Sequence, residues 1–383
     1  MNSDSISGFR PGEFVIAGIG ATAFGKLPSQ DTISMNVQAC RHALADAGIA
    51  KDLVDGVFVK TPTSSREFMY GQKVCEALGL RPKIGGAWDQ GGAANISLIS
   101  MAAASIAAGQ CDIALICYAD NPRTGNKAAF QRPRGNDAVH GWFSTAAGYA
   151  MIQQRHAYEN GDPTQALGEI AVACRRHGAA NPHAQLRIPL DIESYMASPW
   201  VVEPLRRDDC CLVSDGGGAL VVMSAKRSRE LGVTAPVPVL GIGQYQTSWD
   251  VQLRPSLTDS GASIAGAKAF AMAGLKPIDI DVAQIYDCFT ITVLMTLEDY
   301  GFFPRGKGLD FVRDGQIQTG GRMPLNTSGG LLSETGMPGL QLIMEGVRQM
   351  RGTARLQVAG ARHCLVSNQG GTMHTHSTLI LGR

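Results

Sequence analysis

The sequence predicts an α/β protein built from two similar halves, and three observations carry that expectation. The stretch FVIAGIGATAFG at 14–25 is matched by VPVLGIGQYQTS at 237–248. Each copy is followed by an Ala-rich amphipathic segment and a strand, ALADAGIAKDLVDGVFV from Ala43 and AFAMAGLKPIDIDVAQIYD from Ala269, so the chain repeats itself on the scale of a half. Apolar runs such as 15–19 and 113–117 are continuous rather than alternating, which suits strands covered on both faces.

In chain order, the strand at 14–25 leads into a helix that ends at Gly48, as its copy ends at Gly274; a residue without Cβ closes a helix at positive φ with little strain. ASIAAGQCDIALICYA from Ala104 reads as helix, glycine and strand, and GVRQMRGTARLQVAG from Gly346 reads as its counterpart. SDGGGALVVMS from Ser214 and SNQGGTMHTHSTLIL from Ser367 each close a half with a glycine turn and a strand. Between the halves, 121–205 is polar and rich in Pro and Arg, opens with NPRTGNKAAFQRPRGND, and is expected as an inserted loop or lid domain. The expected boundaries are therefore 1–120, completed by 206–234, for the first half, 121–205 for the insert, and 235–383 for the second half.

At 383 residues the chain can bury a large core, and 34 Lys+Arg against 33 Asp+Glu leave a formal charge of +1, too little field to recruit nucleic acid or an anionic membrane. The opening MNSDSISGFRPGEF lacks the apolar core of a signal peptide, and no apolar run approaches the ~20 residues of a membrane span, so a cytoplasmic location is expected. Nine scattered cysteines read as reduced core residues, and none has metal-ligand spacing, so no metal site is expected.

Three stretches carry a family resemblance: AANPHAQLRIPLDIESYMASPWVVEPLRRDDCCLVSDGGGALVV at 179–222, IYDCFT at 285–290 and PLNTSGGLLSE at 324–334. With them the chain resembles the thiolase superfamily, in the branch of the sterol-carrier-protein-X thiolases and thiolase-like steroid side-chain aldolases. The resemblance implies a thiolase fold in five α/β/α/β/α layers, a homodimer, and coenzyme A as part of an acyl-CoA thioester substrate, with no permanently bound cofactor. It also implies a small zinc-ribbon and OB-fold helper protein as partner.

Degradative thiolases open the central helix with a Cys-x-Ser-Gly motif. Here the helix that ends at Gly109 is preceded by Gly92 and Ala93, so no acyl-enzyme is expected at that place. Of the Asn-x-x-Gly-Gly run and the Gly-His-Pro that follows it in those enzymes, the chain keeps Asn326, Gly329 and Gly330, and places Gly336 where the histidine would fall. The related aldolases carry a second tyrosine there; this chain has Gly336 and Met337. What persists is backbone: amides at Gly92, Gly370 and Gly371 are the candidate oxyanion donors, with Asn326 shaping the site.

Retro-aldol cleavage of a β-hydroxyacyl-CoA needs such donors, an acid and a base, and no covalent step. Tyr286, in Tyr-Asp-x-Phe-Thr, is the resemblance's acid/base; a phenol of pKa about 10 ionises near neutrality only beside a donor or a positive charge. Asp287 is a further catalytic candidate and, preceding FTITVLMTLEDYG, a candidate N-cap. His374 and His376, two apart and expected on one strand face, are candidate proton relays, and His140 in the insert is a candidate substrate contact. Two alternatives stand beside this reading. One is acyl transfer with Cys288 or Cys364 as nucleophile; the other is a non-catalytic subunit that binds acyl-CoA or scaffolds a partner.

Overall fold

The computed structural model describes residues 10–126, 135–142 and 144–383; the expected insert therefore includes 127–134 and Phe143, which lie outside the described residues. The first half runs β1 (Phe14–Ala21), α1 (Thr32–Ala47), β2 (Gly56–Lys60), α2 (Tyr70–Leu78), β3 (Ile84–Trp88), α3 (Ala94–Ala107) and β4 (Ile113–Asp120). After it come α4 (Thr145–Asn160), α5 (Thr164–Ala180), α6 (Ile192–Met196), a small hairpin of β5 (Trp200–Val202) and β6 (Leu205–Arg206), then β7 (Gly216–Ser224) and α7 (Ala225–Glu230). The second half is β8 (Val237–Gln246), α8 (Ala262–Ala273), β9 (Val282–Ile285), α9 (Thr290–Asp299), α10 (Leu309–Val312), α11 (Gly330–Ser333), α12 (Leu340–Arg351), β10 (His363–Gly370) and β11 (Thr375–Gly382).

The strand order is β3-β2-β4-β7-β1-β8-β11-β10-β9, so the repeat read from the sequence is a repeat of topology. Strands β2, β4, β7 and β1 correspond to β9, β10, β11 and β8, and β3 is an extra edge strand of the first half. The halves join edge to edge where Val15 and Ile16 of β1 pair antiparallel with Pro238 and Val237 of β8. Helices α3 and α12 pack against strands of both halves, α1 and α2 cover the outer face of the first sheet, and α8 covers the outer face of the second. Those are the five layers.

The same local devices build each half. Helix α1 starts at Asp31, whose carboxylate accepts the Ser34 amide at 2.6 Å, and it ends at Gly48 with φ of 66°; α8 ends at Gly274, also at φ of 66°. The Gly-Ile-Gly motifs are close-approach sites and not nucleotide loops. A Cβ on Gly18 or Gly20 would strike the backbone of Ala43, and one on Gly241 or Gly243 the carbonyls of Ala269 or Ala265, so the covering helix lies directly on the strand. Asp55 accepts the Asp112 and Ile113 amides at 2.8 and 2.9 Å where β4 begins, and Asp281 accepts the Arg362 and His363 amides at 2.8 and 2.9 Å where β10 begins.

Two expectations are corrected. The strand read into ARLQVAG is a set of turns, because Gln349 donates to the Leu356 carbonyl at 2.8 Å and accepts the Val358 amide at 3.0 Å; the strand starts only at His363. The segment expected as an inserted loop domain carries α4, α5 and α6, and its Tyr149, Ile152, Leu167 and Ile170 are buried in the main core.

Candidate functional site

The parallel strands β2, β3 and β4 end on one side of the first sheet, and β9 and β10 end facing them from the second. Open α/β sheets bind ligands at such carboxyl ends. From β3 the chain turns through Asp89, Gln90, Gly91 and Gly92 into α3, whose start lies against the Gly370–Gly371 turn at the end of β10. Gly91 packs on Gly370, Thr375 donates to the Gln90 carbonyl at 2.9 Å, and Ser377 donates to the Ala93 carbonyl at 2.9 Å. The structure therefore brings Gly92, Gly370 and Gly371 together.

Tyr286 leaves the end of β9 and reaches to Gly92. A Cβ on residue 92 would fall on the Tyr286 hydroxyl, on its ring carbon Cζ at 2.5 Å, and on the Gln369 carbonyl oxygen. The phenol fills the volume that a side chain at the helix start would need. Burial pushes its pKa well above the usual value, and the further contributions come from Cys288, Cys211 and Asp287, all in the same direction. Among the described residues none that acts on the phenol is cationic, so burial favours its neutral form.

Asn326 braces this arrangement at φ of 49°, donating to the Ile285 carbonyl at 2.8 Å and accepting the Ile285 amide at 2.7 Å, one residue before Tyr286. Asp287 is a cap, but not of the helix that follows it. Its carboxylate accepts the Leu331 and Leu332 amides at 2.8 and 3.2 Å, at the start of α11, while α9 is preceded by Phe289 without a side-chain cap. Burial raises its pKa to about 6. Gly336 packs against the Leu212 carbonyl and donates its amide to Ser214 at 2.9 Å; the next turn, 337–339, reaches the site, where the Pro338 carbonyl accepts Asn95 Nδ2 at 2.5 Å.

The histidines separate. His376 faces away from α3, in contact with Tyr300 at 3.0 Å, and burial lowers its pKa to about 3, so it is a neutral core residue rather than a relay. His374 precedes β11, in the turn, and packs on Trp249 with ring centroids 5.4 Å apart, beside Gly371. The two do not share a strand face. His140 is exposed and lines a groove of about 630 Å³ with Trp142, Met151, Tyr158 and Val202.

The alternative nucleophiles also differ in place. Cys288 lies at the site, accepting Gln369 Nε2 at 3.5 Å, but burial holds its thiol up at about 12. Cys364 sits near the start of β10 against Gly346, six residues and roughly 20 Å of strand from Gly370. What β10 delivers to the turn is Asn368 and Gln369. Gln369 could be found beside the paired glycines in SNQGG. Tyr149 could not: it comes from α4, stacks on Phe289 at 4.4 Å, and donates to the Gly371 carbonyl at 3.0 Å, a bond spanning more than half the chain.

Residues 243–383 match the family profile described as thiolase C-terminal domain-like. The chain is 36% identical over 393 aligned positions to the 17-hydroxy-3-oxo-4-pregnene-20-carboxyl-CoA lyase of Mycobacterium tuberculosis, covering 97% of this chain and 99% of that one. It is equally 36% identical to the steroid side-chain-cleaving aldolase of Thermomonospora curvata, covering 97% and 98%. A solved structure described as an Ltp2-ChsH2(DUF35) aldolase superposes with a TM-score of 0.88 at 35% identity, over 98% of both chains. The chain belongs to the thiolase superfamily, in its branch of thiolase-like steroid side-chain aldolases.

Proposed function

We propose that this protein cleaves a carbon–carbon bond in a β-hydroxyacyl-CoA thioester by retro-aldol chemistry, without a covalent acyl-enzyme. The observation that carries the reading is the Tyr286 phenol seated over Gly92 at the N-terminus of α3. A helix start without a nucleophile still offers amides to a thioester oxygen as it gains charge. The amides of Gly92 and of Gly370 or Gly371 receive the enolate oxygen. The Cα–Cβ bond breaks, its electron pair becomes the enolate, and the β-oxygen becomes a carbonyl as it loses its proton. Tyr286 gives its proton to Cα and takes up the β-hydroxyl proton, so its charge is the same before and after.

The relatives' names extend the reading. One is a lyase of a 17-hydroxysteroid carboxyl-CoA, and one is a steroid side-chain-cleaving aldolase, which supports a steroid side chain as the acyl group. The pairing named in the similar solved structure supports a helper protein as partner. The edge strand β3, with Trp88 and the neighbouring Phe68 and Met69 exposed, supports a homodimer. Among the described residues no helix is long and apolar enough to cross a membrane, which fits the cytoplasmic location we propose.

The test is Tyr286→Phe. Turnover of a β-hydroxyacyl-CoA should fall by about 10²- to 10⁴-fold while acyl-CoA still binds. Undiminished turnover overturns the reading, as does a covalent acyl adduct on Cys288 during turnover, the outcome acyl transfer requires.

A further inference from the structure

The internal repeat has a consequence inside the site. Asp55 and Asp281 play the same part in the two halves, each accepting the two amides that open the next strand. Gly56 of β2 pairs with Ala114 of β4 as Val282 of β9 pairs with Cys364 of β10. Five residues after Asp281 comes Tyr286, and five residues after Asp55 comes Lys60. Lys60 therefore occupies in the first half the place that Tyr286 occupies in the second.

A lysine at this place is unexpected, because it is 1% exposed. Buried ammonium groups are expensive unless compensated. Compensation is present. Its Nζ lies 3.8 Å from the centroid of the Tyr118 ring and donates to the Thr61 carbonyl at 3.3 Å. Tyr118 in turn donates to Asp120 at 2.9 Å, and Asp120 also accepts the Thr63 and Ser64 amides at 2.7 and 3.1 Å. Asp120 and Asp89 act on the Lys60 charge favourably, and Arg66 unfavourably. Asp89 acts on Lys60 through its charge and pairs with Arg66 at 3.4 Å, and its carboxylate accepts the Gly91 amide at 3.0 Å, fixing the turn that presents Gly92. Lys60 itself stands level with Trp88, the last residue before that turn.

Resting on the retro-aldol reading, we infer that Lys60 is a positioning residue whose buried positive charge, set behind the turn 89–92, stabilises the negative charge that develops on the enolate at Gly92. Among the described residues, the groups acting on Tyr286 supply no cation; Lys60 supplies one from the opposite half, behind the Asp89 turn and across the Tyr118 ring, whose phenol is also electrostatically linked to Tyr286. Burial lowers the lysine's pKa, while Asp120 and Asp89 oppose that shift. The charge is lost as pH rises through the lowered value.

Two readouts separate this role from a structural one. The first is binding of carboxymethyl-dethia-CoA, in which CH2 replaces the sulfur so that a carboxylate oxygen stands where the enolate oxygen forms, against its neutral carboxamide counterpart. Lys60→Met should lower the preference for the anionic probe by about tenfold and leave affinity for the neutral probe unchanged, while Lys60→Arg should keep the preference. The second is turnover. Lys60→Met should lower kcat at unchanged KM and abolish the alkaline limb of the pH profile, and Lys60→Arg should move that limb upward. If Lys60→Met does not fold, Lys60→Gln gives the same comparison. A probe ratio and pH profile equal to those of the unmodified protein overturn the role of Lys60 alone. Failure of the unmodified protein to bind either probe overturns the CoA-thioester reading and this inference with it.

Discussion

Replacing Gly92 by alanine tests the geometry of the site with one methyl group. The new Cβ would stand 2.5 Å from Tyr286 Cζ and would also meet the Tyr286 hydroxyl and the Gln369 carbonyl oxygen. Ordinary carbon contact begins at about 3.5 Å, so the ring must retreat by about 1 Å or the α3 start must move as far. Neither is easy. Gln369 is a strand residue held by its neighbours, and Tyr286 is buried between Asn326-braced β9 and the turn that Tyr149 grips. Overpacking of this kind costs about 1–3 kcal/mol, and a displacement of about 1 Å in a reacting group costs about 100-fold in rate. Gly92→Ala should therefore lower the unfolding free energy read from a urea titration by that amount and reduce turnover of a β-hydroxyacyl-CoA by about two orders of magnitude. Gly92→Cys should suffer the same losses and form no acyl adduct by mass spectrometry, because the phenol occupies the thiol's volume. Unchanged stability and turnover in Gly92→Ala would refute the placement of Tyr286 over the helix start.

Asn326→Ala removes two hydrogen bonds to Ile285 and leaves alanine at φ of 49°; a loss of about 2–3 kcal/mol by denaturant titration is expected, and an unaltered midpoint would remove its bracing role. His376→Gln should leave the pH profile of turnover unchanged and lower stability by about 1 kcal/mol, since a histidine held neutral beside Tyr300 is not a relay; a shifted acid limb would say otherwise. Glu334, buried beside Ser328 and Asn181, has its pKa raised by burial from 4.5 to about 7. The native state therefore favours its proton: the stabilisation is full below about 4.5 and lost as pH rises through about 7. That loss is on the order of 3 kcal/mol. Glu334→Gln should flatten the dependence of unfolding midpoint on pH in that window; a dependence as steep as before would show that another group causes it.

The repeat, the glycine helix ends and the continuous apolar strands were legible from composition and spacing, because they depend on local rules: one residue type per special φ, one apolar run per covered strand. Gly92 in place of a nucleophile was legible too, as was Tyr286 by resemblance. The partners of these residues were not. Which carbonyls Gly18 and Gly241 touch, which helix Asp287 caps, that Tyr149 closes the glycine turn, and that His374 and His376 part company are contacts between segments far apart in the chain. The protonation states of Tyr286 and His376 belong to the same class, since burial, which dominates both, does not exist until the layers close around them. Sequence alone determined that two similar α/β halves would form and that no thiol would stand at the central helix. Only the tertiary structure decided that the emptied position is filled by a phenol from the other half, because packing density allows one occupant in that volume and the backbone of both halves must be in place to choose it.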